Sequence, residues 1–221
     1  MKNIINIYYS SFTEQLPEEV FEKYLSLLPT DLKTRNKLFI RWQDRYLHLL
    51  GKLLLIKAFN EYGLSREILN QLKYNKNNRP FLKNVNIDFN ISHSGNYAIC
   101  AISNNSKVGV DIEEIKIIEF ADFQKVFTKR EWAEIEKSKD CFLKFYSFWT
   151  RKESLIKADG RGLSIPLDCI DVVDDSIYFD NQMWYLKKIK INETYCTSIA
   201  SNKHDICIKM TELKLKPIDN M

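Results

Sequence analysis

Glycine and proline are scarce in this chain, with six and five among 221 residues. That scarcity excludes collagen-like and low-complexity classes, and 45% hydrophobic against 28% charged residues excludes an intrinsically disordered chain. The five cysteines (Cys100, Cys141, Cys169, Cys196, Cys207) are scattered, odd in number and without a CxxC pair. Neither a disulfide framework nor a zinc site follows from them, and a reducing cytoplasm suits them best. Long apolar runs are absent too: Leu53-Leu54-Leu55-Ile56 is interrupted by Lys52 and Lys57 well short of a membrane span. The first ten residues lack the apolar core and small-residue cleavage site of a signal peptide and read as a strand. The expectation is a cytoplasmic globular protein of one large domain or two small, tightly packed ones, with no membrane partner.

The net charge of +4 favours polyanionic ligands or acidic partners but is too modest to call for nucleic acid. Pro17 to Leu28 reads as a short helix, and Pro29-Thr30-Asp31 caps a longer one expected to run to Tyr62 and stop at Gly63. Lys33, Arg35, Arg41 and Arg45 recur along its first half, giving a cationic side that reads either as solvated or as anion-binding. Alternation over Ile87 to Ile91 and over Tyr97 to Ile102 predicts two short strands, with Ser92-His93-Ser94-Gly95-Asn96 as the turn of a hairpin. Thr128 and Glu131 form a capping box, a longer helix is expected from about Cys141 to Asp159, and Gly160 ends it. The remainder reads as strands. Helices therefore alternate with strands twice over, predicting two α+β halves, 1–104 and 105–221, each a small sheet packed with a long helix.

Three carboxylates stand out. In the strand Val108-Gly109-Val110-Asp111-Ile112-Glu113, side chains alternate, so Asp111 and Glu113 share the face of Gly109. Like charges that close need water, a cation or basic groups to offset them. On the later helix, Trp149, Glu153 and Lys157 are spaced four apart, and Glu153 borders the apolar stripe of Phe142, Phe145, Trp149 and Ile156. A shielded carboxylate needs a partner, and Lys157 is the simplest one. If strand and helix meet, an all-oxygen set selects magnesium, manganese or calcium, and magnesium commonly shares its shell with substrate phosphate. Spacing alone is a weak signal for a metal and favours solvated acids.

The motifs Phe89 to Gly95, Val108 to Glu113 and Phe148 to Ala158, in that order and spacing, resemble those of the 4'-phosphopantetheinyl transferases, and so do Leu49-Leu50-Gly51 and Gly160 to Ser164. The resemblance covers most of the chain and is to the long, monomeric surfactin-synthetase-activating type. It implies an α+β pseudodimer of two similar halves with coenzyme A in the cleft between them. It also implies magnesium, with manganese as the alternative, on Asp111, Glu113 and Glu153. Ser92 and His93 would meet the nucleotide end, with Arg79 beside the adenine or its phosphates, and Lys33, Arg35, Arg41, Arg45 and His48 would lie around the 3'-phosphate. Leu32 stands where relatives often have a basic residue and His48 where they often have a small hydroxyl, so that pocket is expected to be rearranged.

The implied reaction moves phosphopantetheine from coenzyme A to a serine of an apo acyl or peptidyl carrier protein. Glu153 would be the base, directly or through a metal-bound water, and Lys157 would stabilise charge on the leaving group. Phe120 to Phe127 reads either as a docking segment for the carrier or as core. Two rivals share the acids: a magnesium-dependent phosphoesterase or nuclease, and a noncatalytic nucleotide-binding module.

Overall fold

The computed structural model describes residues 3–215. In chain order it contains β1 (Asn3–Ser11), α1 (Glu18–Ser26), α2 (Thr30–Lys37), α3 (Trp42–Glu61), the short hairpin β2 (Leu72–Tyr74) and β3 (Pro80–Leu82), β4 (Asp88–Ser94) and β5 (Tyr97–Ser103). Then follow β6 (Val108–Glu114), α4 (Lys129–Lys137), α5 (Cys141–Asp159), β7 (Ser176–Phe179), β8 (Gln182–Ile189), β9 (Tyr195–Ser201) and β10 (Ile206–Glu212). One sheet has the order β10-β1-β5-β4 and the other β6-β9-β8-β7. In each half the first strand pairs antiparallel with a later one, and that one with the strand just before it in the chain: β1-β5-β4 repeats as β6-β9-β8. With α3 packed on one sheet and α5 on the other, this is the expected α+β pseudodimer. The bend at Asn104 to Ser106 joins β5 to β6. The repeat is not a clean division of the chain, because β10 crosses back to pair parallel with β1.

The strand face read from the sequence is the observed one. Val108, Val110 and Ile112 are fully buried with Ile5, Ile7, Ile99 and Ile199 between the sheets. Gly109, on the opposite face, lies against α5. A Cβ there would come within 2.0 Å of the Ser154 carbonyl oxygen and 2.5 Å of the Ala158 nitrogen, both helix backbone that cannot swing aside. Gly109→Ala is therefore expected to lower stability by about 1–3 kcal/mol, the usual range for overpacking. An unchanged urea midpoint would show that β6 and α5 do not approach this closely.

The helix expected from Thr30 to Tyr62 is in fact two, α2 and α3, separated at Leu38 to Arg41. Asn36 explains the break: fully buried, it donates from Nδ2 to the Arg45 carbonyl at 2.8 Å, tying the end of α2 sideways onto α3. A second correction concerns the hairpin. Ser92, His93 and Ser94 belong to β4 and pair with Ile99, Ala98 and Tyr97, so the turn is only Gly95-Asn96. Phe120, Phe123 and Phe127 pack against Phe145, with Trp132 and Trp149 around them, which is the core reading of that segment. No helix among the described residues is long and apolar enough to cross a membrane.

Candidate active site

The two sheets are stitched by side chains rather than by a backbone ladder. Asp88 accepts from the Val108 N–H at 2.8 Å, Asn90 from that of Val110 at 2.9 Å and Ser94 from that of Glu114 at 3.1 Å. The constant offset of the partners means that β4 and β6 run parallel. Three of the four alternate residues of β4 thus lend an oxygen to the open edge of β6, satisfying donors that would otherwise be stranded in the seam. The remaining member, Ser92, donates to Asp111 Oδ1 at 2.8 Å, and Ser94 also donates to Glu113 at 2.7 Å. Polar alternation on one strand thus fixes the acids of the next.

Asp111 is 1% exposed, and its Oδ1 also accepts from Lys157 Nζ at 2.5 Å. Lys157 donates to Ser92 Oγ at 3.0 Å as well, so it reaches across to β6 and β4 instead of pairing along α5 with Glu153. The other oxygen of Asp111, Oδ2, is buried with no partner. Burial pushes Asp111 above the usual carboxylate range although Lys157 and Ser92 pull it down. Burial also raises Glu113, with Asp111 adding to it and Ser94 opposing. Glu153 is raised by burial, with Lys157 opposing and Asp111 and Glu113 adding. Burial works against the Lys157 ammonium, but Asp111, Glu153 and Glu113 outweigh it and hold it protonated. Strand and helix therefore meet, the condition that the sequence left open.

Among the described residues no three His, Cys, Asp or Glu side chains form a ready cation cage. The donor chemistry nevertheless fits a hard divalent cation: the three acids feel one another's charge, and one buried carboxylate oxygen has no donor.

From this end a cleft runs toward the first half. A cavity of about 200 Å3 is lined by Lys157, Gly160, Arg79 and Asn78, among others, and joins a second of about 290 Å3 through shared Asn78, Pro80, Asn90 and Ile91. The second cavity takes Arg35, His48 and His93 of the expected basic residues; Lys33, Arg41 and Arg45 do not line it. Arg45 is used in packing, its guanidinium 4.9 Å over the Phe21 ring and 3.7 Å from Glu22. Arg79 is held between the halves, donating to Asp88 at 2.8 Å, to the Lys157 carbonyl at 2.8 Å and to the Val108 carbonyl at 3.1 Å. Ser92 belongs to the Asp111 end, whereas His93 lines the second cavity, its pKa lowered by burial and by Lys157. Sequence reasoning missed Lys52, Phe39, Asp44 and Tyr74 in this cavity. The four-residue step from His48 to Lys52, which puts both on one side of α3, was the available signal for Lys52.

Two family models divide the chain between them. Residues 16–105 match the N-terminal region of 4'-phosphopantetheinyl transferases, and residues 107–208 match the 4'-phosphopantetheinyl transferase superfamily. The chain is 32% identical over 173 residues to the 4'-phosphopantetheinyl transferase Sfp of Bacillus subtilis, covering 76% of each. It is 34% identical over 167 residues to the 4'-phosphopantetheinyl transferase gsp of Aneurinibacillus migulanus, covering 70% of this chain and 67% of that one. A more distant match is the human L-aminoadipate-semialdehyde dehydrogenase-phosphopantetheinyl transferase, 33% identical over 146 residues, which cover 54% of this chain and 47% of the human one. Seam, carboxylates and cleft thus lie within a sequence similarity that spans both halves, and the chain belongs to the 4'-phosphopantetheinyl transferase superfamily.

Proposed function

We propose that this enzyme transfers the 4'-phosphopantetheine group of coenzyme A to a serine hydroxyl of an apo acyl or peptidyl carrier protein, releasing adenosine 3',5'-bisphosphate. The observation that carries the site assignment is the buried, unpartnered Asp111 Oδ2 beside Glu113, Glu153 and Lys157, at one end of a cleft whose other end is basic. Coenzyme A has matching ends: a diphosphate linking the pantetheine arm to the nucleotide, and a phosphate monoester on the ribose.

Asp111, Glu113 and Glu153 would hold magnesium, which when bound supplies charge neutralisation for the diphosphate. The chain's own residues do the rest. Lys157, kept cationic by the acids around it, faces the bond to be broken and offsets charge on the leaving phosphate. Glu153, made more basic by burial, takes the proton of the serine hydroxyl. The serine oxygen attacks the β-phosphorus, a new P–O bond forms, and the bond from that phosphorus to the bridging oxygen breaks. That oxygen leaves with the nucleotide. Residues 1–104 serve mainly the nucleotide and 105–221 the reacting end. Because both halves belong to one chain, a monomer completes the site, and cytoplasmic carrier proteins are the expected partners.

A phosphoesterase or a noncatalytic nucleotide-binding module could use similar groups, but the three relatives named above are all transferases. The deciding experiment weighs intact apo carrier protein after incubation with the enzyme, coenzyme A and magnesium. A gain of one phosphopantetheine group is expected. No gain across fatty-acid, polyketide and peptide carriers would overturn the proposal, and coenzyme A breakdown without a carrier would favour the phosphoesterase.

A further inference from the structure

The last turn of α5 is held from the other half of the molecule. A helix end leaves its final carbonyls without intrahelical donors. At the end of α5 the carbonyls of Lys157 and Gly160 are met instead by the β2–β3 hairpin. Arg79 Nε donates to the Lys157 carbonyl at 2.8 Å, Asn75 Nδ2 to the Gly160 carbonyl at 2.8 Å, and Asn77 Nδ2 to that same oxygen at 3.2 Å. Gly160 ends the helix in the left-handed conformation, with φ 93°, directly beneath the hairpin. A Cβ there would lie 3.2 Å from Arg79 Cδ and 3.6 Å from Asn75 Nδ2.

The hairpin is built to present these donors. Asn75 Oδ1 accepts from the backbone N–H of Asn77 and of Arg79, both at 2.9 Å, which closes the turn and leaves Nδ2 for α5. Asn78 takes the positive φ of 60° that the turn needs and that asparagine tolerates. Asn78 and Pro80 line both cavities, so the element that walls the cleft also grips the helix. Asn75 lines neither cavity.

Arg79 ties this grip to β6. Its Nη2 donates to Asp88 Oδ2 at 2.8 Å and to the Val108 carbonyl at 3.1 Å, and the same Asp88 oxygen accepts from the Val108 N–H. One guanidinium thus joins the Lys157 backbone to the first residue of β6. The Lys157 side chain meets the same strand at Asp111 Oδ1. Lysine carries its ammonium on a flexible four-carbon stem, so where the ammonium can rest depends on where the backbone is fixed. Both ends of Lys157 are therefore set by β6.

We infer that Asn75 and Arg79 are positioning residues for Lys157: they hold the last turn of α5 against β6 and so place the Lys157 ammonium for transfer, and Arg79 serves in this way rather than as a ligand of the nucleotide. This deepens the proposed function and rests on it. The Arg79 side chain is 16% exposed, and the Asp88 carboxylate already offsets its charge.

The test compares the full-length wild type with Asn75→Asp, Arg79→Met and Arg79→Lys. Asn75→Asp separates the grip from the hairpin's own fold. Its carboxylate still accepts from the Asn77 and Arg79 N–H groups, but it has no donor for the Gly160 carbonyl and puts negative charge at the negative end of α5. Asn75→Asp and Arg79→Met should lower kcat for transfer to apo carrier protein about tenfold to a hundredfold, the scale that a misplacement of about 1 Å produces, with KM for coenzyme A unchanged. Arg79→Lys keeps a cation at the helix end but cannot fork to Lys157 and Asp88 together, so it should recover part of the rate. Adenosine 3',5'-bisphosphate should bind wild type and variants equally in calorimetry. Amide hydrogen exchange should quicken at Ala158 to Gly160 in the variants and stay as in wild type at Tyr146 to Thr150. A merely structural role predicts a lower urea midpoint with kcat unchanged below the unfolding transition. That result, or weaker nucleotide binding in Arg79→Met without a fall in kcat, would overturn the inference. If wild type transfers nothing, the proposed function fails by itself. Hydrogen exchange then decides whether the hairpin holds α5: unchanged rates at Ala158 to Gly160 in Asn75→Asp would show that it does not.

Discussion

Replacing Glu153 with glutamine is expected to lower kcat about a hundredfold to ten-thousandfold, the span that a positioned general base contributes. Glutamine keeps the shape and half-buried position of Glu153 on α5 but cannot accept a proton. The effect should fall on kcat more than on KM for coenzyme A, because the cofactor's nucleotide is gripped elsewhere along the cleft. Glu153 is also proposed to share the cation, and magnesium dependence separates the roles. If the loss reflects only the base, the magnesium concentration giving half-maximal rate stays put; if Glu153 is a ligand as well, it rises. Glu113→Gln should raise that concentration without a comparable loss of rate at saturating magnesium. Full activity in Glu153→Gln, read as carrier mass gain over time, would remove Glu153 from the chemistry altogether.

The sequence made the second half of this site more legible than the first, for physical reasons. Alternation put Asp111 opposite Val110 because the buried face of β6 is uniformly aliphatic, and a four-residue step put Glu153 and Lys157 on one side of a helix whose end was signalled by Gly160. Such patterns depend on neighbours in the chain. The seam depends on neighbours in space: Asp88, Asn90, Ser92 and Ser94 looked like strand and turn polarity, and only the parallel approach of β6 reveals them as substitutes for a missing backbone ladder. The basic residues were harder still. Arg45 and Arg79 looked available for phosphate, yet aromatic packing and carbonyl groups occupy them. Lys52 looked like an interruption in an apolar run, whereas its position inside that run is what desolvates it. The break between α2 and α3 was also invisible, since it comes from Asn36 bonding to a helix that begins several residues later.

Lys152→Met is expected to destabilise the protein by about 3–5 kcal/mol, the cost of stranding one member of a buried ion pair. Lys152 follows Arg151 and precedes Glu153, but consecutive helical residues point about 100° apart, so it faces the core while Glu153 faces the cleft. It is fully buried, as is Glu131, 2.7 Å away. The three protons of its ammonium match three acceptors: Glu131 Oε2, the Leu167 carbonyl at 2.8 Å and the Ile170 carbonyl. Glu131 in turn accepts from the backbone N–H of Thr128 at 2.7 Å and of Val172 at 2.9 Å. The capping box of α4 is therefore also the anchor that ties α5 to the segment at 167–172. Methionine fills the space but leaves a buried carboxylate without its cation and takes one donor from each of two carbonyls. The double variant Glu131→Gln with Lys152→Met removes the stranded charge while an amide oxygen still accepts from backbone, so it should be more stable than Lys152→Met alone. Urea unfolding of the wild type, both single variants and the double variant gives the coupling directly. Additive losses would show that the pair is not a unit, and an unchanged midpoint in Lys152→Met would show that it does not hold α5 in place beneath Glu153.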